Sequence, residues 1–148
     1  MCGNVTGVFA VSTSGTGLGS TCLSTNANEA AAMLAMKAAL VDSATVPSLS
    51  SWTGSDPCAA PQWSYITCTS NTYANSIVSL SLSYTSVSGT IGTQLGLLTA
   101  LTQLYLAGLS VSGTLPSEVG NLRALSYLYI QNLASLSGTL PASIGGCV

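Results

Sequence analysis

The side chains best equipped for chemistry in this chain are four carboxylates and five cysteines, and neither set is spaced for catalysis. Glu29, Asp42, Asp56 and Glu118 are the only acids, Lys37 and Arg123 the only bases, and histidine is absent. General acid–base work at neutral pH draws on histidine or on two carboxylates converging on one site. Here the acids fall in different segments: Glu29 opens an apolar helical run, Asp42 follows it, Asp56 sits in a Gly-Ser-Asp-Pro-Cys turn and Glu118 follows Leu115-Pro116-Ser117. The chain therefore reads as a non-enzyme. Cys2, Cys22, Cys58, Cys68 and Cys147 lack both Cys-x-x-Cys spacing and histidine partners, so no metal and no cofactor is expected. Disulfides are the better use for them, which implies an oxidising compartment, extracellular or at the cell surface.

The elements that must carry these residues have an unusual surface. With two cations the chain lacks the clustered Lys and Arg that hold phosphate backbones or anionic lipid, so nucleic acid is not a partner. Ser (24 residues) and Thr (17) supply polarity instead, and a net charge of −2 gives little colloidal repulsion. A coat of glycans or assembly into something larger would answer that shortage of charge, and Asn4-Val5-Thr6 is the one sequon for N-glycosylation. The longest apolar run, residues 30–41 with Lys37 inside it, falls short of the roughly 20 residues a bilayer span requires. Residues 7–11 are too short for the apolar core of a secretion signal.

An internal repeat organises the C-terminal half. Aligning "IVSLSLSYTSVSGTIGTQLGLL" (77–98), "ALTQLYLAGLSVSGTLPSEVGNL" (100–122) and "ALSYLYIQNLASLSGTLPASIGG" (124–146) stacks Leu80, Leu104 and Leu128 at a spacing of 24. Leu82, Leu106 and Ile130 form the next column, and Gly89, Gly113 and Gly138 another, the last displaced by one inserted residue within 133–135. A fixed period in the twenties predicts a solenoid, each coil adding one short strand to a parallel sheet.

These residues resemble the plant-type extracellular leucine-rich repeat, whose coil runs Leu-x-x-Leu-x-Leu-x-x-Asn-x-Leu-Ser-Gly-x-Ile-Pro-x-x-Leu-Gly-x-Leu. Upstream, "EAAAMLAMKAAL…LSSWTGSDPCAAPQWSYITC" (29–68) is similar to the N-terminal cap found in polygalacturonase-inhibiting proteins, receptor-kinase ectodomains and some protist surface antigens. The resemblance implies an α/β solenoid, a short right-handed stack of coils behind a helical cap. Its divisions are an N-terminal extension (1–28), the cap (29–76) and three repeats with no recognisable C-terminal cap (77–148). It also implies a Cys58–Cys68 disulfide, a loop closure of about 2–3 kcal/mol on the chain-entropy estimate. Asn28 suits the helix N-cap and Glu29 its positive dipole end. Met33, Leu34, Lys37, Leu40 and Val41 then mark one face covering the first coil, with Trp52 and Trp63 packed on the cap disulfide. One column departs from the consensus: Thr85, Leu109 and Leu133 stand where the family places Asn, so an apolar spine is expected in place of buried amides.

In a leucine-rich repeat the strand positions between the leucines form the concave face, because side chains alternate across a strand. They are Ser79, Ser81 and Ser83, then Gln103, Tyr105 and Ala107, then Tyr127, Tyr129 and Gln131. Tyrosine and glutamine together make an uncharged binding surface, with Ser81, Gln103, Tyr105, Tyr127, Tyr129 and Gln131 as its candidate contacts. Three functional readings follow. The first is a structural or adhesive protein that assembles with itself head to tail into a filament or coat, using an uncapped end and the Cys2, Cys22 and Cys147 thiols. The second is a recognition module that binds a peptide, protein or glycan on the concave face. The third is ice binding through the Thr90, Thr114 and Thr139 column beside Ser88, Ser112 and Ser137.

Overall fold

The computed structural model describes residues 25–42, 48–69, 74–142 and 144. Asn4, Cys2, Cys22, Cys147 and the strand candidate at residues 8–11 lie outside them. The chain enters through Thr25, which bridges to Asn75, and continues into helix α1 (Ala27–Ala39). Seven alanines, two methionines and a leucine in thirteen residues favour that helix by propensity. Its N-cap is Asn26 rather than the expected Asn28: the Asn26 side chain accepts the Asn28 N–H at 3.0 Å. The Asn26 N–H donates to Asn75 O at 2.9 Å, which fixes where the helix starts. Ala32, Met33 and Met36 are buried. Leu40 leaves the helix with extended dihedrals and begins β1 (Leu40–Val41). Val41, expected on the apolar helix face, is consequently 61% exposed.

Nine further elements follow among the described residues. They are β2 (Ile66–Thr69), β3 (Ser76–Ser83), β4 (Ser88–Thr90), the 3₁₀ segment η1 (Thr93–Leu97), β5 (Gln103–Ala107), β6 (Ser110–Thr114), η2 (Ser117–Asn121), β7 (Tyr127–Gln131) and β8 (Leu136–Ser137). The long strands form one sheet in the order β2-β3-β5-β7, and the short ones a second in the order β1-β4-β6-β8. Within the described residues each coil thus has one long and one short strand, and the first two coils add a 3₁₀ turn. The cap strands β1 and β2 pair antiparallel with the first coil, and the coils pair parallel with one another.

The repeat columns become the core. Leu80, Leu82, Val87, Leu95 and Leu98 of the first coil are at most 2% exposed, as are Leu104, Leu106, Val111, Val119 and Leu122 of the second. Each such side chain contributes about 2 kcal/mol by leaving water. Leu128, Ile130, Leu133, Leu136 and Ile144 of the third coil are only partly buried against this core, having a coil on one side alone among the described residues. In the column where the family keeps Asn, Leu109 is 4% exposed and Leu133 packs against the core, an apolar spine as expected. Thr85 heads the column with Oγ1 buried and without a hydrogen-bond partner.

Hydroxyls tie the coils together elsewhere. At the start of the long strands, Thr102 Oγ1 donates to Val78 O (2.9 Å) and Ser126 Oγ to Thr102 O (3.1 Å), each reaching the coil before. Along the second sheet, Ser88 Oγ donates to Val41 O, Ser112 Oγ to Gly89 O and Ser137 Oγ to Gly113 O, all at 3.2–3.3 Å. Much of the serine and threonine content is therefore internal scaffolding. This changes the hydroxyl plane expected from the sequence. Ser88, Ser112 and Ser137 spend their protons on backbone carbonyls, and the strand register sets Thr90 opposite Ser112 and Thr114 opposite Ser137, not threonine on threonine.

Candidate functional site

The β2-β3-β5-β7 sheet carries the candidate site. Its register sets Ser81 opposite Tyr105 and Tyr105 opposite Tyr129, while Ser79, Gln103 and Tyr127 form the adjacent row. Leu80, Leu104, Leu82 and Leu106 point into the core between them, so the alternation of the pleat turns the serines and tyrosines the other way. Tyr127 is 47% exposed and Tyr129 37%, whereas Tyr105 is half-buried beneath them. The Tyr105 ring lies 5.0 Å from that of Tyr127 and 6.3 Å from that of Tyr129, centroid to centroid. The three form one tilted aromatic patch. Tyr129 OH donates to Gln131 Oε1, and Gln103 is exposed at the patch's edge.

One member of the expected face is not on it. Ala107 is fully buried. The chain turns at this level, where Tyr84 (φ 55°), Gly108 (φ 62°) and Asn132 (φ 54°) take the left-handed conformation in successive coils. Tyr84 N–H donates to Ala107 O at 2.7 Å.

Tyr65 was missed by the strand pattern, because it precedes β2 and belongs to the cap. Since Ile66 pairs with Leu80, Tyr65 stands level with Ser81, whose N–H donates to Tyr65 O at 2.8 Å. Tyr65 is 40% exposed and holds φ at 67°, a conformation an aromatic residue seldom adopts. The row across the sheet therefore runs Tyr65, Ser81, Tyr105, Tyr129. A Tyr beside an apolar strand of the cap was the only signal for it in the sequence.

The cap holds Tyr65 in place. Trp52 and Trp63 are each 1% exposed and stack at 5.0 Å with 19° between their planes, so they are packing residues and not surface contacts. Their indole N–H groups donate to Ser64 O (2.8 Å) and Thr53 O (2.7 Å). Lys37 Nζ lies 5.4 Å from the Trp63 ring centroid and donates to Trp52 O. Cys58 and Cys68 are disulfide-bonded with Cα atoms 6.0 Å apart, as the resemblance implied.

All six charged residues are accounted for, and none lies in the tyrosine-bearing sheet. Glu29 is 3% exposed, and its Oε2 accepts the Ile77 N–H at 2.9 Å. Burial pushes its carboxyl above the usual carboxylate range, against the lowering effect of backbone hydrogen bonds from Ile77 and Ala100. Asp56 accepts the N–H groups of Thr25 (3.2 Å) and Cys58 (3.0 Å), Asp42 binds Leu49 N–H and Ser86 Oγ, and Glu118 accepts Ser117 Oγ at 3.2 Å. Arg123 lies between η2 and β7. Among the described residues no group of His, Cys, Asp and Glu is placed to hold a metal ion, and no helix is long and apolar enough to cross a membrane.

Comparison with known proteins agrees with this architecture. Residues 26–69 match the family described as leucine rich repeat N-terminal domain. The BIR2 ectodomain from Arabidopsis thaliana superposes with a TM-score of 0.67 at 26% identity, over 80% of this chain and 62% of that one. The structure of PEPR1-AtPEP1 gives 0.60 at 27% identity, over 80% of this chain and 20% of that one. The LRR ectodomain of the receptor kinase SOBIR1 from Arabidopsis thaliana gives 0.62 at 16% identity, over 84% and 64%, a likeness of fold alone. The chain thus spans less than two thirds of the length of each. No curated protein matches the sequence. Residues 26–69 thus match a leucine-rich-repeat N-terminal domain, and the chain as a whole is similar to extracellular leucine-rich-repeat ectodomains of the plant type, with a cysteine-containing cap followed by stacked repeats.

Proposed function

We propose that the protein is a non-enzymatic recognition module whose coils wind as a right-handed solenoid and whose concave sheet binds another extracellular molecule. One observation carries this reading. The register gathers Tyr105, Tyr127 and Tyr129 into a single exposed patch with Gln103 and Gln131, on a sheet free of charge. Large amphipathic rings with two side-chain torsions lose little entropy on binding and offer flat contact area together with hydroxyls. PEPR1, at 27% identity, was solved as PEPR1-AtPEP1, which supports a binding role for a sheet of this kind. The scattered carboxylates, each engaged in the scaffold, favour binding over catalysis.

Head-to-tail assembly into a filament gains no support. The cysteines it rested on lie outside the described residues, and the similar structures are ectodomains. The deciding experiment compares the wild-type chain with the Tyr105→Ala/Tyr129→Ala variant in a screen against extracellular peptides, proteins and glycans. Partners of the wild type should be lost by the variant, while its thermal unfolding moves only by the ring–ring contacts, about 0.5–1.5 kcal/mol each. Unchanged partner binding would remove the concave face as the site.

A further inference from the structure

Two groups of strand-associated serines differ in how their hydroxyls are used. Ser88, Ser112, Ser126 and Ser137 donate to carbonyls of the preceding strand or coil. Ser79, Ser81 and Ser83, on the concave side of β3, are half-buried, and their hydroxyls make no hydrogen bond among the described residues. They occupy alternate positions on one strand, so they form a floor about 13 Å long at some 3.3 Å rise per residue. Tyr65 stands on one side of this floor, one strand away, and Tyr105, with Tyr127 and Tyr129 behind it, on the other. The backbones that carry Tyr65 and Tyr105 are separated by two strand spacings, about 10 Å.

Resting on the reading of this sheet as a recognition face, we infer that the trough between Tyr65 and Tyr105 is a subsite for a neutral oligosaccharide chain. Hydroxyl floors both donate and accept, which matches a ligand whose own polar groups are hydroxyls. Aromatic faces carry negative quadrupole charge, and the C–H groups on the flat side of a pyranose ring present positive charge to it. The absence of formal charge decides against other ligands. Peptides of ordinary composition bring charged side chains or a terminal carboxylate, and their recognition relies on fixed cations, anions or backbone nests that would have to come from this sheet. Every charged side chain of the protein is committed to the cap or lies outside the sheet. Acidic saccharides are disfavoured on the same ground.

The test titrates the full chain with cellohexaose, laminarihexaose, mannohexaose and, as the charged counterpart, hexagalacturonate, by calorimetry and by NMR of the tyrosine rings. At least one neutral hexaose should bind at millimolar concentration or below, with affinity changing less than about twofold between low and high salt, because no ion pair is screened. Ser79→Ala/Ser81→Ala/Ser83→Ala should weaken it by about tenfold or more at unchanged melting temperature. Ser112→Ala, in the internal ladder, should leave it unaltered. Binding of none of the neutral hexaoses, or equal binding by the triple variant, overturns the saccharide assignment. Tyrosine-dependent binding of a peptide or protein in place of the sugars would overturn it and leave the recognition face standing; sugar binding that survives Tyr105→Ala/Tyr129→Ala would overturn both.

Discussion

Glu29, in the first turn of α1, accepts the backbone N–H of Ile77 at 2.9 Å with its side chain 3% exposed, so one buried carboxylate joins the cap helix to the first strand of the solenoid. Desolvation raises its pKa above the ordinary value of 4.5. The folded state then holds this proton more tightly than the unfolded state does. Stability contributed by the group is fully present below about pH 4.5 and falls as pH rises through the elevated folded value. Glu29→Gln keeps an acceptor for Ile77 and removes the titration. Urea unfolding from pH 4 to 8 should show a declining stability for the wild type across that window and a flatter profile for the variant. Identical slopes would mean that Glu29 ionises as freely as in the unfolded chain.

Gly89 and Gly113 occupy the same turn in successive coils, with φ of +106° and +87°, yet they should tolerate alanine very differently. A Cβ on Gly89 would sit 2.3 Å from Ala39 O, where the cap crosses the first coil, whereas at Gly113 the nearest atom is Thr90 Cγ2 at 4.0 Å. Gly113→Ala should cost only the left-handed penalty, about 1–2 kcal/mol. Gly89→Ala must also push the cap away and should cost several kcal/mol more, or detach α1 altogether. Equal losses in denaturant melts would show that cap and coil are not in register as described.

Thr85 carries a buried hydroxyl that finds no partner. Replacing it by valine removes the unmet group at nearly constant volume, and an unsatisfied buried polar atom costs about 1–3 kcal/mol. Thr85→Val should therefore stabilise the protein by about 1 kcal/mol, seen as a higher urea midpoint at an unchanged slope. A destabilised variant would mean that an internal water bonds this hydroxyl.

The cap disulfide closes a short loop, and cutting it by Cys58→Ser/Cys68→Ser should cost about 2–3 kcal/mol on the chain-entropy estimate. The loss should be local. β2 pairs only with β3 among the described residues, so hydrogen exchange should rise first across residues 58–82 and later in β5 and β7. A uniform rise over all three long strands would show that cap and repeats open as one unit.

Much of this molecule was legible in the order of its residues, because a 24-residue period with paired leucines admits few folds. The Leu80, Leu104, Leu128 column, the rows of serines and tyrosines between the leucines, and the cap with its Cys58–Cys68 bond all follow from periodicity and from resemblance to one family. What the sequence could not carry was direction and contact between segments far apart in the chain. Asn26 became the cap in place of Asn28 because Asn75, 49 residues away, anchors it. Glu29 went inward because the Ile77 N–H needed an acceptor, and Ala107 sank because the chain turns over it at Tyr84. Tyr65 joined the row of Ser81, Tyr105 and Tyr129 only through the antiparallel pairing of β2 with β3, which no local pattern announces. Local spacing determines which residues share a column, since neighbouring coils repeat the same backbone. Which residue of the cap meets that column depends on long-range hydrogen bonds, and those exist only once the coils have stacked.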